Sequence, residues 1–315
     1  MQNVLVTGGA GFIGSNLINE LLKDNEKRIF VFDNLSTGRL ENLALDNPLL
    51  SFFNIDLLSD FNDWPVIENL NYIYHFSANA DVRGGFKDRE TDFKQNVLVT
   101  KSVCDYAKAN NCKHFVFASS AAVYGEPDIF PTPETSFLRQ TSIYGASKLA
   151  GEAYIQAYSE YSDFQSSIFR FVSWIGNGYS HGVIYDFYKK LLFSPERLEI
   201  LGDGNQKKSF LDVTDGVKGI LSLTNHEKAT EIFNLGHTEI MNITKLAKIV
   251  CDYLKLDNTK FIYSGSNRGW IGDSPLVHLD ISKAKTYGWI PKVSIKTGII
   301  NTLDYLSADK ENIFR

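Results

Sequence analysis

The sequence predicts a doubly wound α/β protein: a parallel sheet with helices on both faces, joined to a smaller interleaved α+β lobe. Three observations predict it. Short β-branched or aromatic runs alternate with helical segments through the first half of the 315-residue chain. Those runs are apolar at consecutive positions, the pattern of strands covered on both faces. A glycine-rich turn stands directly between the first strand and the first helix.

Taken in order, Val4-Leu5-Val6 reads as the first strand and the turn through Gly14 opens the first helix. Ile29-Phe30-Val31-Phe32, Ser51-Phe52-Phe53, Tyr72-Ile73-Tyr74 and Phe115-Val116-Phe117 read as the following strands. From Ala146 the apolar positions Leu149, Ala150, Ala153, Tyr154, Ala157 and Tyr158 keep helical spacing, and Ile168 to Val172 reads as another strand. That makes six or seven parallel strands. Beyond about residue 173 the order loosens at Gly176-Asn177-Gly178 and Gly202-Asp203-Gly204, and Ile243 to Leu254 reads as a helix. The expected organisation is one domain over 1–172, rejoined by a segment at about 205–236, and a second lobe from 173–204 and 237–315.

Composition narrows the function. The chain is 43% hydrophobic and 22% charged, with a net charge of -5 and no basic block or basic aromatic ladder, which argues against a nucleic-acid partner. An anionic small molecule needs only a few local cations. There is no apolar run of membrane-spanning length, and the N-terminus lacks the pattern of a secretion signal, so no membrane partner and a cytoplasmic location are expected. Cys104, Cys112 and Cys251 are too few and scattered for a disulfide framework and read as small buried hydrophobes. No His/Cys/carboxylate cluster has metal-ligand spacing, so no metal is expected.

Thr7-Gly8-Gly9-Ala10-Gly11-Phe12-Ile13-Gly14 has glycines spaced three apart between a strand and a helix. Such a turn lets the backbone approach a pyrophosphate while the helix N-terminus supplies N–H donors. Chance alone yields this glycine spacing about 0.1 times in such a chain. Residues 1–172 are therefore expected to form a dinucleotide-binding Rossmann domain. Asp33 ends the second strand, where a carboxylate binds adenosine ribose hydroxyls and repels a 2′-phosphate, favouring NAD over NADP. Arg39, a few residues on, could receive such a phosphate.

Tyr144-Gly145-Ala146-Ser147-Lys148 puts a phenol and an amine four residues apart on one helix face. With 15 Tyr and 23 Lys in the chain, about one such pair is expected by chance. Tyr185 and Lys189 form a second, read as an aromatic core contact beside a solvated lysine. Tyr144 is distinguished by the preceding segment Phe117 to Gly125, where a buried strand ends in Ser119 and Ser120 at the sheet edge that binds ligands. Ser120, Tyr144 and Lys148 make a proton-transfer set for oxidising an alcohol to a ketone. Lys148 is expected to lower the Tyr144 pKa from near ~10 so that the phenolate is the base.

Thr7 to Gly14, Asp33 to Gly38, His75-Phe76-Ser77-Ala78, Ser120 to Gly125 and Tyr144 to Lys148 together resemble the extended short-chain dehydrogenase/reductase family. Within it, the chain is similar to the NAD-dependent nucleotide-sugar epimerases and dehydratases of the UDP-glucose 4-epimerase type. The resemblance continues through Gly202-Asp203-Gly204 and Arg268 to Asp273. It implies that Tyr144 takes the proton of the sugar C4 hydroxyl while hydride passes to NAD. Ser120 would hydrogen-bond that oxygen and Lys148 would also hold the nicotinamide ribose. The implied cofactor contacts are Gly8, Gly11, Phe12, Ile13, Gly14, Asp33, Asn34, Ser36, Thr37, Gly38, Asp56 at the adenine, Leu57, Phe76, Ser77, Ala78, Ala80, Asn96, Tyr144 and Lys148. A homodimer is implied, packed through the helix around Asn96 to Asn110, read as apolar nearly all round, and the helix beginning at Tyr144.

Family members that eliminate water across C5 and C6 usually carry an Asp-Glu pair after the catalytic hydroxyl; here Ala121 and Ala122 stand there. This argues against a 4,6-dehydratase and against the related decarboxylases. On the substrate side, Ser173 stands where Asn is more common, Lys208 where Arg usually binds phosphate, and Asp212 where Tyr or His is frequent. Arg268 is the leading diphosphate clamp, and Lys207-Lys208 can also be read as a solvated basic pair. Substrate contacts are expected at Ser120, Ser173, His181, Val183, Lys208 and Arg268. His75 reads as a hydrogen-bonded structural residue. The expected function is a 4-epimerase acting on a UDP- or GDP-linked sugar for surface polysaccharide biosynthesis. The alternative is a C4-dehydrogenase that releases the 4-keto sugar, with NADH recycled by a keto acid. A non-catalytic NAD-binding module is the third reading, and the intact Ser120, Tyr144 and Lys148 set argues against it.

Overall fold

The computed structural model describes residues 1–162 and 164–308. Its strands are β1 (Gln2–Thr7), β2 (Lys27–Asp33), β3 (Leu50–Asn54), β4 (Leu70–His75), β5 (His114–Ser120), β6 (Gln165–Phe171), β7 (Ser173–Ile175), β8 (Arg197–Ile200), β9 (Lys207–Lys208), β10 (Phe210–Asp212), β11 (Thr230–Leu235), β12 (Met241–Asn242), β13 (Lys260–Tyr263) and β14 (Leu276–Val277). The helices are α1 (Phe12–Leu21), α2 (Arg89–Asp92), α3 (Val99–Ala109), α4 (Ile143–Tyr161), α5 (Val183–Phe193), α6 (Val213–Leu223), α7 (Ile243–Leu254), α8 (Ser282–Thr286) and α9 (Ile295–Ala308). A π-helical turn, Phe93–Leu98, joins α2 to α3.

Seven strands form one sheet in the order β11-β6-β5-β4-β1-β2-β3, every neighbouring pair parallel. Because side chains alternate across a strand, consecutive apolar residues require cover on both faces. Val4 and Val6 accordingly lie in one core with Leu17 and Ile18 of α1 and Ile220 of α6. Leu5, between them, lies in the opposite core with Val103 and Tyr106 of α3 and Ile155 of α4. The doubly wound α/β class follows directly from this arrangement. The seventh strand, β11, comes from the segment that rejoins the sheet late in the chain.

The remaining elements build three small sheets, β10-β7, β12-β9-β14 and β13-β8. Their separate core holds Ile184, Phe187 and Leu191 of α5 against Leu246 and Val250 of α7 and Ile299 and Leu303 of α9. The chain crosses between this core and the large sheet more than once, so the two share a long seam above the carboxyl ends of the strands.

Helix α3 differs from the sequence expectation. It is buried on one face only, through Val99, Val103, Cys104, Tyr106 and Ala107. Lys101 and Asp105 form an ion pair on the other side, 2.7 Å apart. The apolar letters before it, Val97 and Leu98, belong to the π-helical turn, whose wider winding leaves Leu98 exposed. All three cysteines are buried and free.

Two buried histidines tie stability to pH. His75 bridges Thr7 and Thr100 at 2.7 and 3.0 Å and stacks on Phe117. Burial, with some help from the Lys148 charge, pushes its pKa down to about 3. His114 hydrogen-bonds Ser167 at 2.8 Å and is pushed down to about 4, chiefly by burial and then by His226. Both groups are neutral in the fold and take up a proton only after unfolding, so their stabilising contribution is present above pH ~6.5 and is lost as pH falls towards 4. Each should remove about 1.4 kcal/mol per pH unit in that window. Urea midpoints at pH 7 and pH 5 check this; equal stability at the two values would show that these rings are protonated or solvated in the native state.

Candidate active site

The parallel sheet places the ends of β1, β2, β4, β5 and β6 on one edge, and the predicted site residues gather there. At the first turn, Gly8 has φ 67° and lies so close to the chain after β4 that a Cβ would sit 2.7 Å from the Ser77 nitrogen. A Cβ at Gly14 would lie 2.3 Å from the Gly8 carbonyl oxygen. Helix α1 then begins at Gly11 with no side chain capping its first turn, so Phe12 and Ile13 open a helix whose N-terminus is uncovered by side chains. Asp33 is buried and accepts from the Ala10 and Leu35 backbone N–H groups at 3.0 and 2.8 Å. Asn34 accepts from the Ser36 N–H, and Ser36 and Thr37 are exposed beside it. A Cβ on Gly38 would meet Ala10 and the Asp33 carboxylate.

A groove runs along this turn between Thr37, Arg39 and Phe12 on one side and Tyr179, Tyr185 and Tyr305 on the other. Tyr185 thus lines the groove as well as lying under the Lys189 ammonium, 5.7 Å away. It was expected only as a core contact. Phe76, Ser77 and Ala78 follow β4 half-buried and Ala80 is exposed. The Phe76 N–H donates to the Thr7 carbonyl at 3.1 Å. Beyond β3, Asp56 is exposed and accepts from the Leu58 N–H, while Leu57 is buried beneath.

The chemistry-bearing set stands at the end of β5. Ser120 is its last residue and accepts from the Ala122 N–H at 3.1 Å. Ser142 caps α4 by accepting from the Gly145 N–H, which sets Tyr144 and Lys148 on the turn facing β5. The Lys148 ammonium is buried, donates to the Ala118 carbonyl at 2.9 Å and lies 6.0 Å from the centre of the Tyr144 ring. Burial pushes Lys148 down to about 8, resisted by Asp92 and Glu152. Burial also pushes Tyr144 up to about 12; its hydrogen bond with Ser120 pulls it down and the charge of Asp92 pushes it up. The expectation that Lys148 lowers the phenol is therefore corrected. The amine is committed to a strand carbonyl, and loss of solvation is the larger effect at both groups.

Behind this set, the π-helical turn carries Asn96 inward. Its amide donates to Ser147 at 2.9 Å and its oxygen accepts from the Asn79 N–H at 2.8 Å. Under β5 and α4, Arg170 grips both carboxylate oxygens of Glu152, at 3.0 and 2.7 Å. The same carboxylate accepts from Ser119, next to Ser120.

Across the seam, Ser173 lies exposed two residues beyond Phe171, the β6 partner of Ser120. His181 is exposed, its ring stacked with Tyr179 at 6.4 Å, and Val183 begins α5. Lys208 pairs with Asp273 at 2.6 Å, and Arg268 pairs with the Glu126 carboxylate and donates to the Asp273 carbonyl at 3.4 Å. Two cations thus converge on one loop, each with an acidic partner. That loop reaches the segments flanking the start of α4 through Trp270, edge-on to Phe86 at 6.2 Å, and through Gly272, whose carbonyl accepts from Thr141. Asp212 is not a substrate-side group. It is buried and caps α6 by accepting from Thr214.

Residues 4–236 match the NAD dependent epimerase/dehydratase family. The chain belongs to this family. A putative UDP-glucose 4-epimerase of Methanocaldococcus jannaschii is 32% identical over 96% of the chain and 98% of its own length. A UDP-galactose 4-epimerase crystal structure superposes with a TM-score of 0.87 at 31% identity, covering 98% of this chain and 99% of that one. The UDP-glucuronic acid 4-epimerase of Bacillus cereus, solved with UDP-glucuronic acid and NAD, superposes at 0.86 and 26% identity over 98% and 99% of the two chains. Other relatives are UDP-glucuronic acid decarboxylases.

The chain fits the cofactor of this NAD-dependent family. The close approach at Gly8 and Gly14 leaves room that side chains would fill, the uncapped α1 suits a pyrophosphate, and the Asp33 carboxylate ends β2 beside that turn, a position that suits ribose hydroxyls. No group of His, Cys, Asp or Glu among the described residues could hold a metal ion, and no described helix is long and apolar enough to cross a membrane. Sequence reasoning missed Asp92, Asn79, Glu152 and Arg170 in this family member. Asp92 sits in the charged run Lys87 to Lys94. Its four-residue spacing from Asn96 was the available signal.

Proposed function

We propose that the chain is a UDP-sugar 4-epimerase in which Ser120, Tyr144 and Lys148 are the catalytic residues. The carrying observation is the convergence of these three side chains at the carboxyl end of β5, with Ala121 and Ala122 following in place of any acid or base. NAD, when bound, supplies the hydride acceptor at C4 and the donor that returns it. Tyr144 takes the proton of the C4 hydroxyl and gives it back, and Ser120 hydrogen-bonds the reacting oxygen. Lys148 keeps a positive charge beside both. With no further proton-transfer side chain at Ala121 and Ala122, loss of water across C5 and C6 has no catalyst there.

In this reading the sugar nucleotide lies in the seam between the sheet domain, 1–172 with 205–236, and the lobe formed by 173–204 and 237–315. Arg268 and Lys208 meet the diphosphate after exchanging their carboxylate partners, and Ser173, His181 and Val183 face the substrate. The UDP assignment draws on the names of the relatives. The exposed apolar side chains Phe93 and Leu98 of the π-helical turn leading into α3, and Tyr154 of α4, are assigned to a dimer contact between two copies. The product is a building block for cytoplasmic assembly of surface polysaccharide.

Mass and stereochemistry of the product from UDP-glucose, UDP-N-acetylglucosamine and UDP-glucuronic acid, with and without an added keto acid, test the reading. Unchanged mass with inverted C4 is expected. Loss of two hydrogens that depends on the keto acid would make the enzyme a C4-dehydrogenase. Loss of water or carbon dioxide would refute the argument from Ala121 and Ala122.

A further inference from the structure

Asp92 is fully buried at the junction of α2 and the π-helical turn. One carboxylate oxygen accepts from the Asn79 amide at 2.8 Å and from the Asn96 amide at 3.3 Å. The other is buried with no hydrogen-bond partner among the described residues. It lies against Gly85, where a Cβ would stand 2.5 Å from it and 3.3 Å from the Ile143 Cβ. A buried carboxylate oxygen without a donor is costly, and its retention calls for a use.

The use is visible in what surrounds it. Asn96, held by Asp92, donates to Ser147, and the Ser147 hydroxyl donates to the Tyr144 carbonyl at 2.8 Å. Asp92 is thus two side chains from the turn that carries the phenol. The charged groups acting on Lys148 are Asp92 from the end of α2 and Glu152 from its own helix, and Lys148 in turn acts on His75 of β4. His75 is neutral, and both oxygens of Glu152 are taken by Arg170. Burial is the largest influence on Asp92 and raises its carboxyl pKa; the Asn79 hydrogen bond and the Lys148 charge work the other way, and Asp81 and Asp88 add to the rise. Of the two carboxylates acting on Lys148, Glu152 is paired with Arg170 and Asp92 is held by amides.

We propose that Asp92 is a positioning residue, which fixes the Asn79 loop and the Tyr144 turn through one oxygen and sets the pH range of the Tyr144 and Lys148 pair through its charge. The inference rests on the catalytic reading above. A negative charge disfavours loss of a proton from phenol and ammonium alike, so it moves both limbs of the pH profile the same way. Asp92 retains the proton on Lys148 against burial and holds the phenol back from ionising too early.

The test is Asp92→Asn, which keeps the acceptor oxygen for Asn79 and Asn96 and removes the charge. With whichever UDP-sugar the wild type turns over, both limbs of kcat/KM against pH should move to lower pH by roughly one unit. Titration of the phenolate by ultraviolet absorbance, as the difference between each protein and its Tyr144→Phe counterpart, should show the same displacement without turnover. Reduced kcat with unmoved limbs and an unmoved phenolate would make Asp92 a structural residue only and overturn the proposal. If the variant does not fold, Asn79→Ala in the same titration decides. It removes the donor that favours the ionised carboxylate and should move the phenolate in the same direction, and no displacement would overturn the proposal. A Tyr144→Phe enzyme that still turns over would instead overturn the catalytic reading, so the two failures are distinguishable.

Discussion

Replacing Tyr144 by Phe should lower kcat by roughly a thousandfold, the scale of a lost general base, while leaving NAD binding and thermal stability nearly unchanged. The expectation comes from the geometry of α4. The phenol is half-buried beside Ser120, and the ring contributes the packing, so removing one oxygen leaves the fold intact. Burial holds the free phenol up at about 12, so at neutral pH only a small fraction is ionised. Turnover should therefore rise with pH until the Lys148 ammonium, pushed down to about 8, begins to lose its proton. The measurement is single-turnover kinetics with NAD binding followed by protein fluorescence. Turnover within threefold of the wild type would remove Tyr144 from the mechanism.

Glu152→Ala should destabilise the protein by about 3–5 kcal/mol, because it leaves the Arg170 guanidinium charged and unpaired in the interior. Arg170 and Glu152 are 2% and 0% exposed, so a lone charge there is held away from bulk water. Arg170 also donates to the Tyr124 hydroxyl and the Glu134 carbonyl at 2.9 and 3.1 Å. The Tyr124 hydroxyl in turn donates to Asn234 of β11, so the damage should spread to the sheet edge. Replacing Glu152 and Arg170 together by Met should cost less than either single change, since no charge is then stranded. Denaturant midpoints for the three variants decide it. A single-variant cost under about 1 kcal/mol would mean that water reaches the pair.

These two predictions differ in how far they could be read from letters. Val4, Leu5 and Val6 announced a strand buried on both faces, and the structure sends Leu5 to one core and its neighbours to the other. Tyr144 and Lys148 were legible because helical spacing is local and the hydroxyl-ended strand precedes them. The electrostatics were not. Spacing puts an amine near a phenol, but it does not say that the amine is buried and tied to the Ala118 carbonyl or that the phenol is half-buried. Asp212 was misread as a substrate-side group because a helix cap and a ligand contact use the same side-chain oxygen. Asp92, Glu152 and Arg170 escaped for a related reason. A charged letter carries no mark of burial until distant segments fold over it, and Glu152 and Arg170 meet across 18 positions of chain.

The late arrival of β11 at the edge of the sheet has an evolutionary corollary. It pairs with β6 over six positions and anchors Asn234, whose amide donates to the Thr132 and Asp280 carbonyls. A lineage could not exchange the substrate-facing part of this protein for a relative's in one crossover, because the exchanged piece would bring a foreign strand into the sheet or omit one. Two coordinated breakpoints, on either side of α6 and β11, are the minimum for a working chimera. Change in sugar preference should therefore accumulate by point substitution in the loops over the seam, and laboratory recombination libraries should be cut at both points.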